Sequence, residues 1–164
     1  MRSLYYLMMA VLILIFSVSP AIAESNSDVS VTTSIMREVE VENEQGKKEI
    51  RLENVESAVP GEEIVFIVTY LNKGKLPAEN IVLTNPVPRE MIYVGGSAGG
   101  ETTVIIFSVD GGDTYDMPEK LFVVDENGER VQAKPEDYTH IRWRLTESLE
   151  PEGEGVVRFK AMLK

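Results

Sequence analysis

The chain has no cysteine, one histidine and one tryptophan, and only 7% of its residues are aromatic. Without cysteine no disulfide can staple the fold, thiol chemistry is excluded, and a lipid cannot be attached at a signal-cleavage cysteine. A lone histidine, His140, with no cysteine beside it cannot build the usual zinc sites or a triad that needs several partners. Positive charge is also scarce: 16 Lys and Arg stand against 27 Asp and Glu, a net charge of −11. A surface this acidic repels phosphate backbones and anionic headgroups, so neither nucleic acid nor a membrane surface is an expected partner. Solubility is the plain meaning of the charge.

Long apolar runs are missing everywhere except at the start. Arg2 supplies a positive charge, Leu4 to Val18 is almost wholly apolar, Pro20 breaks the helix-forming stretch, and Ala21-Ile22-Ala23 offers small residues where a signal peptidase requires them. Residues 1–23 therefore read as a secretory signal, cut before Glu24, with a polar leader at 24–28. The competing reading is an uncleaved anchor. A spanning helix needs roughly 20 apolar residues, and this stretch reaches that only by counting Ser17, Ser19 and Pro20. With the signal cut, no stable membrane insertion is expected. The location would be the periplasm, or outside the cell, with a two-membrane cell preferred because no sorting signal or lipobox is seen.

From residue 29 the hydrophobic period is two. Val29, Val31, Thr33, Ile35, Val39 and Val41 share one phase, interrupted by Arg37, which predicts a half-buried strand. Asn43 to Gly46 predicts a turn into a returning strand with Ile50 and Leu52. Val59-Pro60-Gly61-Glu62 is a further turn, and Ile64 to Leu71, apolar on both phases, predicts a central strand. Short strands are expected at 81–83, 91–94, 104–109, 121–124, 130–133, 141–145 and 157–163. Pro86 and Pro88 exclude a helix or a central strand between them. Gly95 to Gly100 reads as a flexible connection, since it lacks the Lys-Ser/Thr and the helix of a phosphate loop. Asn127-Gly128 predicts a two-residue hairpin. Roughly nine to eleven short strands with turns every 8 to 12 residues predict one all-β antiparallel sandwich over 29–164.

Residues 59–97 carry a more specific pattern: Pro60-Gly61-Glu62, an alternating strand, Asn72 and Gly74, Ala78 and Asn80, Thr84, Pro88, then Tyr93-Val94 with Gly96-Ser97. This stretch resembles the conserved-repeat domain of bacterial and archaeal surface proteins, catalogued as domain of unknown function eleven. Asn85 stands where that family usually has Asp, and Glu90 where it usually has Gly. The resemblance implies an immunoglobulin-like sandwich in an envelope or surface protein and implies no catalytic residues. Members often occur in tandem, whereas a single copy is visible here.

Three features carry possible chemistry. Ser108 to Tyr115 fits S-x-D-x-G-x-T-aromatic and resembles the Asp-box hairpin, which predicts a structural turn with its aromatic packed inward. The same stretch crowds Asp110, Asp113 and Asp116, hard oxygen ligands that could suit calcium, although the spacing is not that of an EF-hand. Paired carboxylates able to hydrolyse glycosides arise by accident in so acidic a chain, so no enzyme is expected. Trp143 shares a phase with Ile141 and Leu145 and is expected in the core, with Arg142 and Arg144 on a solvated face. Two functions follow as expectations. The first is a non-catalytic structural or protein-interaction module of the cell envelope, with the edge strand Val29–Val41 offered to an envelope protein. The alternative is an ion- or small-ligand-binding protein, with calcium at the acidic loops around Asp110–Asp116 and Asp125-Glu126.

Overall fold

A computed structural model describes residues 28–164. The expected signal segment, 1–23, and the leader up to residue 27 lie outside the described residues. The rest is an all-β antiparallel sandwich of eleven strands, as turn spacing predicts. Among the described residues no helix is long and apolar enough to cross a membrane.

The larger sheet runs β2 (Lys48–Asn54), β1 (Val29–Glu42), β3 (Glu63–Asn72), β11 (Glu154–Leu163) and β5 (Met91–Tyr93), with β6 (Gly99–Gly100) also pairing β11. The smaller sheet is β4 (Val82–Pro86), β10 (His140–Leu145) and β7 (Thr103–Ser108), and β8 (Phe122–Val124) and β9 (Arg130–Gln132) form a separate ribbon. β3 lies between β1 and β11. Ile64, Val65 and Phe66 are buried in succession, so its apolar character on both phases is used on both faces. Between the sheets, Phe66 stacks on Phe159 at 4.6 Å, with Trp143 6.1 Å from Phe159. Ile141, Trp143, Val157, Phe159 and Ala161 are fully buried. Each of these except the small Ala161 contributes roughly 1.5–3 kcal/mol of burial.

Several residues of the 59–97 pattern serve this frame. Gly61 takes φ 87°, and Glu62 accepts from Val59 N–H and pairs with Arg37 at 2.9 Å. Asn72, fully buried, donates to the Leu76 and Leu149 carbonyls at 2.8 Å each and accepts from Gly74 N–H at 2.9 Å. Ala78 is buried and bridges to Leu149, and Asn80 adopts φ 55°. The Tyr93 hydroxyl accepts from Ala98 N–H.

Four expectations need correction. Gly95–Gly100 is not a loose connection. Ser97 Oγ accepts from Lys160 N–H and donates to the Val94 carbonyl, and Gly99-Gly100 pairs with Val157 and Arg158, an approach open to glycine because a Cβ at position 100 would fall 2.7 Å from the Val157 side chain. The hairpin at Asn127-Gly128 has three loop residues, Glu126 to Gly128, closed by Asp125 and Glu129, with Gly128 at φ 82°. Arg37 is no mere interruption of β1, since it ties β1 to the 57–62 segment through Ser57 and Glu62. Finally, β1 is not half-buried along its length. Val31 is 51% exposed and Ile35 48%. Beyond Met36, β1 and β2 leave the body of the sheet as an arm. The register sets Ile50 opposite Glu40 and Leu52 opposite Glu38, while Val39 and Val41 face Arg51 and Glu49. The apolar phases of the two strands thus lie on opposite faces of the arm, so neither face is amphipathic enough to pack against the body.

Candidate interaction site at the open side of the sandwich

β1 runs with β3 from Val29 to Met36 and with β2 only from Met36 onward. Among the described residues nothing pairs with the edge of Val29–Ser34 away from β3. The direction of its backbone groups follows from the hydrogen bonds at its ends. Lys73 N–H donates to the Asp28 carbonyl on the β3 side, and Val55 N–H donates to the Ile35 carbonyl on the other. Successive residues alternate, so Val29, Val31 and Thr33 turn their N–H and C=O groups outward. Exposed edges usually carry charge, proline or a bulge that blocks pairing. Val29-Ser-Val-Thr-Thr-Ser-Ile35 has no charged residue and no proline.

Across the gap between the sheets lies the other edge of β4, which among the described residues pairs only with β10. The Ile81 and Thr139 backbone hydrogen bonds show that odd residues of this segment face β10, leaving Val82, Thr84 and Pro86 outward. Pro86 lacks an N–H where none is needed, consistent with an edge. Asn80 to Pro88 is uncharged as well. The two edges border a groove of about 340 Å³ lined by Val31, Thr33, Val68, Val82, Leu83 and Trp143 among others. Val82 is 49% exposed. In an acidic molecule, one side of the sandwich is thus neutral, apolar and unfinished in hydrogen bonding. The floor residue Trp143 is fully buried with no partner for its indole N–H among the described residues.

The acidic turn is built differently from a metal site. The Asp110 carboxylate accepts from Ser108 Oγ at 2.7 Å, from Asp113 N–H at 3.1 Å, and from the Thr114 N–H and hydroxyl. The Thr114 hydroxyl bond above all, then the Thr114 N–H and Ser108 bonds, hold its carboxyl well below the ordinary 3.8. Asp116 accepts from Met117 N–H and faces Lys120 at 3.5 Å. Gly111 and Gly112 take φ 83° and 98°. The Asp-box reading as a structural turn thus stands, and among the described residues no cluster of three or more His, Asp or Glu side chains could hold a metal. Tyr115, however, does not pack inward. It lies on the outer face of the smaller sheet with the Arg142 guanidinium 3.4 Å over its ring and His140 at 6.5 Å. The outer phase of β10 (His140, Arg142) set against Ile141 and Trp143 inside decides this. His140 begins β10 with Nδ1 3.2 Å from Thr139 Oγ1, as a strand-end residue would.

On the opposite side of the sandwich, Tyr93, Phe107 and Tyr138 form an aromatic cluster with centroids 4.6–5.8 Å apart. Together with Ile105, Pro118 and Pro135 it borders an apolar hollow of about 460 Å³. Burial, then the neighbouring Tyr93, Asp137 and Glu119, push the Tyr138 phenol up, so it stays neutral. The edge of β4 was the part of the site that residue patterns missed, although the uncharged run Asn80–Pro88 with its prolines was the available signal.

Comparison with models of protein families, with curated proteins and with solved structures gives no match to this chain.

Proposed function

We propose that this chain is an exported, non-catalytic protein-interaction module of the cell envelope, which binds by adding a strand to the β1 edge. The observation that carries the reading is the unpaired and uncharged Val29–Ser34 edge beside the apolar groove to β4. Main-chain bonds to Val29, Val31 and Thr33 would supply affinity, and alternate side chains entering the groove would supply specificity. The export half of the reading rests on the signal pattern of residues 1–23, and the envelope on the resemblance of residues 59–97. The Thr139 hydroxyl, 3.2 Å from His140 Nδ1, is engaged in the turn, donating to the Ser108 carbonyl and accepting from Gly111 N–H, which supports a structural role for this pair.

The test is photocrosslinking in living cells. A photoreactive amino acid replaces Thr32, on the outer face at the edge, and in a second strain replaces Glu119, on an exposed turn across the molecule. Protein adducts at position 32 and none at 119 are expected. No adduct at 32 overturns the reading.

A further inference from the structure

We infer that the occupant of the β1 edge is the β1 edge of a second copy of this chain, paired antiparallel about a two-fold axis at Val31. The inference rests on the edge-pairing reading above and names its partner. Because Val29, Val31 and Thr33 face outward, the hydrogen-bonded pairs of such a ladder are Val29 with Thr33 of the other copy, Val31 with Val31, and Thr33 with Val29. The pairing is self-complementary. β-branched residues meet β-branched residues, and no like charges are opposed, which few stretches of a chain with net charge −11 allow. A register shifted toward Ile35 is blocked, since Val55 already occupies the Ile35 carbonyl.

A short strand pair alone buries less than the roughly 1,200 Å² of a stable interface. The arm supplies more. β2 occupies the same column beside β1 as the incoming strand, further along. Its free edge therefore lies next to the column of the second copy's β3, where that strand ends at Asn72 and runs into the loop Lys73–Leu76. In that arrangement the bend Lys73–Leu76 of one copy lies beside Leu52 to Asn54 of the other. The chemistry matches. Lys73 and Lys75 are exposed and make no ion pair among the described residues, and neither does Glu53. Leu76 is 53% exposed and Leu52 41%. By symmetry each contact is made twice. The paired molecules form one continuous large sheet, and the exposure of Val31, Leu52 and Leu76 is explained together.

The experiment uses the full chain, expressed with its own N-terminus and purified from cells. Sedimentation at tens of micromolar should give a dimer. Val31→Lys places two ammonium groups at the axis and should give a monomer, whose melting midpoint should match that of the parent diluted until it too is monomeric. Since the chain has no native cysteine, Val31→Cys should form a covalent dimer under mild oxidation, as Cα atoms of a hydrogen-bonded pair lie about 5.5 Å apart. Thr32→Cys, whose opposite residue is Ser30, should not. Lys75→Glu and Glu53→Lys should each weaken the dimer several-fold, and the double swap should restore it. A monomer at all these concentrations with no Val31→Cys dimer overturns the inference. If position 32 nevertheless crosslinks to a different protein, self-pairing fails and the edge reading survives; if it crosslinks to nothing, both fall.

Discussion

Asn43 and Asp125 do the same work at the tips of two separate hairpins. Each side chain accepts from the N–H groups two and four residues on, at 2.9–3.0 Å, and each three-residue loop ends in a glycine, Gly46 at φ 74° and Gly128 at φ 82°. The longer Asp-box turn uses Asp110 in a related way. Because hydrogen bonds depress the Asp110 carboxyl below its ordinary 3.8, the stabilisation it gives is fully present above that value and is lost as pH falls below it. Asp110→Ala should thus lower the melting midpoint at pH 7, and its deficit against the parent should shrink as melts are repeated below pH 3.8. Millimolar calcium should leave the midpoint of the parent unmoved, since the Asp110 oxygens already hold their donors and Asp116 faces Lys120. Asn72 is a sterner case. Asn72→Leu would strand the Leu76 carbonyl and the Gly74 N–H, and would leave the Leu149 carbonyl only its bond from Ala78 N–H. A loss of about 2–6 kcal/mol by urea unfolding is expected, at roughly 1–3 kcal/mol for each of the two groups left unpaired.

Elements were legible where one physical signal decided them. β3, β10 and β11 show in the sequence because burial imposes period two or a continuous apolar run, and Trp143 with Ile141 had to share a face. The turns at Gly61 and Gly128 show because only glycine takes those φ values cheaply. The loop length at Gly128 did not show, because the closing bond between Asp125 and Glu129 depends on strand register and not on the Asn-Gly pair. β6 hid for a related reason. A run of glycines signals freedom locally, yet Gly100 lets the backbone approach Val157 across the sheet and Thr103 in its own turn. Gly100→Ala should then cost about 1–3 kcal/mol, read by denaturant unfolding, whereas substitution in a loose linker would cost nothing. The edge of β1 was legible as a strand, but exposure is a property of its neighbours. Its alternation is that of a buried face, and only the sheet order reveals that the smaller sheet stops short of covering it.

At the scale of the whole molecule, stability is unevenly distributed. The buried side chains of β3, β10 and β11 meet between the sheets, whereas the arm beyond Met36 contributes none to that core. Its apolar residues split between two faces, and its ion pairs, Lys48 with Glu40 and Arg51 with Glu49, are exposed. Exposed pairs of this kind contribute about 0–1 kcal/mol, so the arm opens locally far more often than the sandwich unfolds. Hydrogen exchange should therefore rank β3, β10 and β11 as slowest, and the outer half of β1 with β2 as fast. The same measurement separates the two states of the edge. In an isolated copy the outward N–H groups of Val29, Val31 and Thr33 have no acceptor among the described residues and should exchange at once. In the paired state they should slow together with the β2 amides of Leu52 and Glu53, and do so as protein concentration rises. Slowing of the β1 edge without β2 would mean that the arm takes no part in the contact, and slowing of neither at any concentration would leave the edge open in solution.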